Sequence, residues 1–300
     1  MNNNQNPSSL YLFYTIIAAT SLGAVATIAK YAQVTSETLT FYRIFFGLVF
    51  LALYLLKSKQ TNLMFKKPTW LLLLNGVFIA GMMSTYVQAM EYMDMVTVIM
   101  MIYLAPVVAS LVAHFCMNER LSSLQFTTIM CAFLGFSMVM EFQLSLSGAE
   151  LQGFIYSFIA LGCYTSFIIV NRLVDERIHD FTRSSYQLIV GSICMLPFAW
   201  QDMFDLSIAQ FGWMVLAGLI PGFLGIVLSI VALRKVSAAT FGTLAYMEPV
   251  TVIALGWLLF GQTLSFMQIS GCLVIIMAGL LQAKLALGQQ QQMVAANDAI

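Results

Sequence analysis

Apolar residues along this chain come in ten runs of roughly 20, the length an α-helix needs to cross a bilayer. They fall at about 10-30, 38-56, 68-90, 95-117, 122-141, 150-171, 181-200, 209-233, 237-260 and 265-286. Short polar turns separate them, so little chain is left for loops. The pattern predicts an all-α integral membrane protein of ten transmembrane helices, spans 1 to 10 in chain order.

One stretch occurs twice. Tyr103-Leu104-Ala105-Pro106-Val107 leads through Asn118-Glu119-Arg120-Leu121-Ser122 to Gln125, and Tyr246-Met247-Glu248-Pro249-Val250 leads through Gly261-Gln262-Thr263-Leu264-Ser265 to Gln268. The offset is 143 at Tyr103/Tyr246, Pro106/Pro249, Val107/Val250, Leu121/Leu264, Ser122/Ser265 and Gln125/Gln268, and Thr97/Thr240 keeps it upstream. A constant offset without gaps means duplication, so the ten spans divide five and five. Because five is odd, the second half inserts upside down relative to the first, as an inverted-topology repeat around a central cavity. The first repeat is placed at 10-141 and the second at 150-286, with tails at 1-9 and 287-300. Each copy carries a proline inside an apolar run, so spans 4 and 9 are kinked at Pro106 and Pro249. Lipid cannot satisfy the backbone carbonyl that a kink frees, whereas protein or a water-filled cavity can. Both prolines are therefore expected beside the cavity.

Composition agrees: 60% of residues are hydrophobic and 9% are charged, far outside a soluble domain. Charge adds an orientation. With the N-terminus in the cytoplasm, Lys57, Lys59, Lys66, Lys67, Arg120, Arg172, Arg177, Arg183, Arg234, Lys235 and Lys284 lie on the cytoplasmic side, and only Lys30 and Arg43 lie elsewhere. The duplicated turn fits, since Glu119-Arg120 becomes Gln262-Thr263 where the turn faces outward. Residues 1-9 carry no basic residue and no small-residue cleavage site, so they read as a short cytoplasmic tail and not a signal peptide. The glutamine-rich 287-300 has no apolar face to bury and is expected to be a disordered cytoplasmic tail. This gives a multi-pass protein of the cell inner (plasma) membrane with both termini cytoplasmic. Cys116, Cys131, Cys163, Cys194 and Cys272 all fall inside spans without paired spacing, which implies free thiols and no metal site. No cofactor and no nucleic acid is implied. The expected partners are the bilayer and a small-molecule substrate, with monomer and homodimer both open.

Charge inside a span is costly, so the ionisable residues there are the candidates for chemistry. Glu248 lies about midway along span 9, immediately before Pro249, where span 4 has Ala105. Such a carboxylate costs at least ~2.5-3.5 kcal/mol to insert. It reads as a structural pair with Lys30 or Arg43, a proton site, or a contact for a substrate amine. Arg43 stands one turn inside span 2 on the side poor in basic residues, and calls for a protein acid or a substrate anion. Lys30, near the outer end of span 1, either snorkels to the interface or faces the cavity. Polar and aromatic faces add Tyr42, Tyr86, Gln88, Tyr103, Tyr164, Asn171, Tyr186, Gln187 and Tyr246 to the expected cavity lining. No arginine in the second half takes the place of Arg43, so the halves are not equivalent. Gly218, Pro221, Gly222 and Gly225 in span 8 mark close packing or a flexible segment. His114 and His179 are the only histidines and no aspartate falls inside a span, which argues against an intramembrane protease. No phosphate-binding Gly-Lys-Ser/Thr loop supports an ATP-driven pump, and no ring of charge supports a channel.

These residues resemble the drug/metabolite transporter superfamily, in its EamA-type branch of ten-helix carriers. The resemblance rests on Pro106 and Pro249, the two duplicated turns, the Gly271 to Gly279 spacing, Lys30 late in span 1 and Arg43 early in span 2, and it covers about 10 to 286. Gln262 departs from the pattern, standing where a glutamate is usual. The resemblance implies a basket of spans 1-4 and 6-9 around the cavity, with spans 5 and 10 behind. It implies a secondary transporter, not an enzyme, whose halves rock about a fixed site. One acid against two bases among aromatics suits a zwitterion better than a polyanion, hence an exporter of amino acids or related compounds. An organic-cation, drug or vitamin-like metabolite carrier, with the cation in an aromatic box, is the alternative. Coupling turns on Glu248: burial favours a neutral acid that loads and releases a proton, and a neighbouring Lys30 or Arg43 favours the carboxylate and facilitative transport. A single acid facing two bases reads more economically as a charge network.

Overall fold

The computed structural model describes residues 9-64, 66-93, 95-117, 121-143, 151-175 and 177-298. Residues 1-8 of the tail expected at 1-9 and the turn residues Asn118, Glu119 and Arg120 lie outside them. The first half comprises α1 (Ser9–Ala32), α2 (Ser36–Lys57), α3 (Trp70–Ala89), α4 (Met95–Ile102), α5 (Ala105–Cys116) and α6 (Ser123–Val139). The second comprises α7 (Leu151–Leu173), α8 (Asp180–Ala199), α9 (Ile208–Ala217), a π-helical stretch (Gly218–Val227), α10 (Leu228–Leu233), α11 (Ala238–Ala245), α12 (Met247–Phe260) and α13 (Phe266–Asp298). No strand is present among the described residues.

Eight of these segments are long and apolar enough to cross a membrane by themselves, counting α4 with α5, α9 through α10, and α11 with α12 as single spans. The other two differ for identifiable reasons. α6 has only 17 residues, and α8 buries Arg183, Ser184, Ser185 and Gln187 inside the protein, which lowers its apolarity. The chain is a multi-pass helical membrane protein.

Packing follows the duplication. α1 lies against α11 and α12, and its counterpart α7 lies against α4 and α5. α2 packs on the π-helical stretch as α8 packs on α3, while α2 and α8 pack on each other. α6 and α13 run antiparallel as a pair: a Cβ added at Gly135 would meet the Gly271 carbonyl oxygen at 2.8 Å, and one at Gly271 would meet that of Gly135 at 2.5 Å. Only glycines allow that approach. The duplicated turns carry duplicated caps, since Ser122 and Gln125 bond reciprocally at the start of α6 and Ser265 and Gln268 do so at the start of α13. Span 8 resolves the alternatives for its glycines in favour of close packing. A Cβ at Gly47 of α2 would sit 2.9 Å from the carbonyl carbon of Gly222, beside Pro221, and the ladder widens to π geometry there.

One expectation is overturned at the C-terminus. α13 does not stop near 286 but continues to Asp298 through the glutamine run. Gln, Ala and Met are good helix formers, and a helix already nucleated in the membrane extends into them at little cost.

Candidate functional site

The two kinks are complete breaks, and they bring the repeats face to face. Proline has no N–H, so Pro106 leaves the carbonyl of Ile102 and Pro249 leaves that of Ala245 without helical donors. α4 ends at Ile102 and α11 ends at Ala245. Both prolines are buried, and Pro106 packs on Gly242 of α11, where an added Cβ would lie 2.7 Å from the proline Cβ.

At each break a tyrosine turns toward the other repeat. The phenol of Tyr246 donates to the backbone carbonyl of Tyr103 at 2.6 Å, and the phenol of Tyr103 faces the Glu248 carboxylate. Their ring centroids are 5.9 Å apart, and Tyr103 stacks on Phe136 of α6 at 4.6 Å. Glu248 occupies the first turn of α12, where unpaired backbone N–H groups favour negative charge. Gly23 of α1 presses on the same place, since a Cβ there would lie 2.7 Å from the Glu248 carbonyl oxygen.

Glu248 lines a cavity of about 10 Å³ together with Thr15, Ala19 and Leu22 of α1 and Tyr164, Ser229, Phe241 and Ala245. That is room for about one water. Tyr86 of α3, Tyr164 of α7 and Arg43 of α2 lie within electrostatic reach of Glu248. Arg43 is the less provided for. Its Nη2 donates to the thioether sulfur of Met83 at 3.0 Å, a weak acceptor, and its buried Nε has no partner among the described residues. The guanidinium feels the carboxylate without touching it. Gly222 of the π-helical stretch packs on the Arg43 backbone carbonyl, which fixes this turn of α2.

Of the residues chosen from sequence, the structure thus gathers Glu248, Arg43, Tyr86, Tyr103 and Tyr164, with Tyr246 bracing them. The others stand elsewhere. Lys30 is exposed with its Nζ 3.8 Å from the Phe260 ring centroid, so the expected reach toward Glu248 is corrected to an end-of-span cation–π contact. Tyr42 donates to the Met203 carbonyl at 2.8 Å and Tyr186 to the Lys66 carbonyl at 2.7 Å, both in connections between spans. Asn171 and Gln187 are fully buried and bonded to each other at 2.9 Å. They sit beside Arg183, which is 0% exposed and donates to the carbonyls of Asn171, Val174 and Asp175 at the end of α7 at 2.7-2.8 Å. Gln88 is partly exposed at the end of α3. Sequence reasoning missed Thr15, Ser229 and Met83, which had no charge or motif to single them out. It also grouped Arg183 with the cytoplasmic bases, whereas the side chain caps a helix inside the protein.

The EamA-like transporter family matches the chain twice, over residues 9-140 and 151-282. The chain belongs to the EamA-like transporter family. The two matched stretches are the two halves whose breaks meet at Glu248, and the resemblance to drug/metabolite transporters applies to both. Among curated proteins, an uncharacterized transporter of Archaeoglobus fulgidus is 23% identical over 269 residues, covering 89% of this chain and 94% of its own. An uncharacterized transporter of Bacillus subtilis (strain 168) is 24% identical over 273 residues, covering 88% and 86%. A solved crystal structure shares the fold at 14% identity, with a TM-score of 0.79 over 93% of this chain and 99% of that one. As an EamA-type transporter the protein takes a small-molecule substrate through the membrane.

Proposed function

We propose that this transporter is a secondary carrier that exports amino acids or related zwitterions by alternating access, with Glu248 receiving the substrate ammonium and Arg43 its carboxylate. The observation that carries the reading is the state of Arg43, a guanidinium whose buried Nε has no partner among the described residues, whose Nη2 meets a thioether, and which faces a carboxylate it does not touch. A structural ion pair would close that gap, because burying an unpaired charge is expensive. A substrate bearing one charge of each sign fills it and neutralises both. The phenols of Tyr86, Tyr103 and Tyr164 supply further hydrogen bonds around the acid.

Glu248 is then the group at which a proton and a substrate amine compete. The sequence favoured a charge network around it, but Lys30 is remote and Arg43 is out of contact, which moves the weight to proton exchange. The face carrying Lys57, Lys59, Lys66, Lys67, Arg177 and Lys235 is read as cytoplasmic, with both termini on that side of a cell inner membrane.

The test is flux into and out of liposomes holding the purified protein, with neutral amino acids compared with amines that lack a carboxylate. Amino-acid flux is expected in the wild type and lost in Arg43→Met. Three phenols around one acid also suit an organic cation; if a quaternary amine is carried equally by the wild type and Arg43→Met while amino acids are not carried at all, that second reading replaces the first.

A further inference from the structure

α2 and α8 are counterparts in the two repeats, and each carries a tyrosine as its seventh residue, Tyr42 and Tyr186. The phenols do the same thing at opposite ends of the molecule. Tyr42 donates at 2.8 Å to the carbonyl of Met203, in the connection that follows α8. Tyr186 donates at 2.7 Å to the carbonyl of Lys66, in the connection that follows α2. α2 and α8 pack together, and these two bonds set them in opposite directions, the start of each helix gripping the connection at the far end of the other. The result is a clasp with two ends, one at each membrane face, and both ends join the first half of the chain to the second.

We propose that Tyr42 and Tyr186 are paired latches, and that each half of the transport cycle releases one while the other stays closed. The inference rests on the alternating-access reading but not on the identity of the substrate. Two features suit the role. Each latch is a neutral hydrogen bond to a connection outside the helices, costly enough to bias a conformational equilibrium and weak enough to break on the timescale of transport. Tyr42 also precedes Arg43, so a substrate anion that draws on the guanidinium pulls on the turn that holds one latch.

The ends are not equal. Thr182 adds a second bond to the same connection as Tyr186, its hydroxyl donating to the Leu63 carbonyl at 2.7 Å. The face that carries Lys66 is therefore the more firmly closed. Among the described residues two side-chain bonds, from Tyr186 and Thr182, hold that connection, and one, from Tyr42, holds the connection at Met203.

The experiment reads which side reaches the central cavity. Ser229, which lines it, is replaced by cysteine in a protein whose native cysteines are serine or alanine, and oriented vesicles are treated with a membrane-impermeant thiol reagent from either side. Tyr42→Phe is expected to raise labelling from the Met203 side roughly three- to tenfold, the population shift that one lost neutral hydrogen bond allows, with no change from the other side. Tyr186→Phe combined with Thr182→Val is expected to do the reverse. Unchanged labelling in both variants, or a rise from the same side in both, overturns the latches. If the cysteine-free protein does not fold, hydrogen exchange on the same variants with native cysteines replaces it: Tyr42→Phe should speed exchange in 200-207 but not in 61-64, and Tyr186→Phe combined with Thr182→Val the opposite. Labelling needs no substrate. Opposite labelling shifts without amino-acid flux therefore keep the latches and reject the zwitterion reading, and flux without the shifts does the converse.

Discussion

The phenol of Tyr246 donates to the backbone carbonyl of Tyr103, its own counterpart 143 residues earlier, across 2.6 Å. Two identical halves would return the gesture, with Tyr103 reaching the carbonyl of Tyr246. Tyr103 reaches the Glu248 carboxylate instead, a group that has Ala105 as its counterpart in the first repeat. The change from Ala105 to Glu248 between the copies thus turns a symmetric brace into a brace on one side and a charged site on the other.

The brace and the site should separate by mutation. Tyr246→Phe leaves a buried carbonyl without its donor and is expected to cost about 1-3 kcal/mol, seen as a lower Tm in detergent. Tyr103→Phe releases the carboxylate of Glu248 and should weaken substrate binding more than it lowers Tm. Equal Tm losses with unaltered affinity in both would contradict the assignment.

Glycines of the paired helices should behave unlike those that face open space. Gly271→Val places a side chain against the carbonyl of Gly135, and is expected to lower the yield of folded protein or cost more than about 2 kcal/mol. Gly162→Ala meets nothing within 4 Å of the new Cβ and should be neutral or stabilising by up to about 1 kcal/mol, since alanine is the better helix former. Thermal unfolding of the two variants side by side measures the contrast.

Arg183 and Arg177 lie six residues apart and should differ sharply. Arg183→Met strips donors from the end of α7 in a buried place and is expected to cost about 3 kcal/mol or more. Arg177 is exposed, and its change to alanine should stay within about 0.5 kcal/mol. A mild Arg183→Met would mean that water replaces the guanidinium, contrary to its full burial.

Coupling is read from Glu248→Gln in liposomes with and without an imposed pH gradient. Wild-type flux is expected to follow the gradient, while the variant exchanges substrate and ignores it, because an amide cannot carry the proton. Wild-type flux indifferent to pH would make the carrier facilitative and Glu248 a fixed anchor for the amine.

Much of this architecture is a property of the chain read in one dimension. Span lengths follow from bilayer thickness, the repeat from a constant offset between Tyr103 and Tyr246, and the break positions from Pro106 and Pro249, since a missing N–H acts on its own helix. The cost of Glu248 is equally local. Which polar residues meet it is not. Arg43, Asn171 and Gln187 are alike in hydropathy and spacing, and only the rotation of each helix against its neighbours sends Arg43 toward Glu248 and the other two into a capping cluster with Arg183. That rotation is set by close approaches such as Gly222 on the Arg43 backbone and Gly23 on that of Glu248, contacts between residues far apart in the chain. The same holds for Lys30, whose partner Phe260 lies at the end of a helix in the other repeat. Periodicity can say that a helix has a polar face; the packing of ten spans decides what that face looks at.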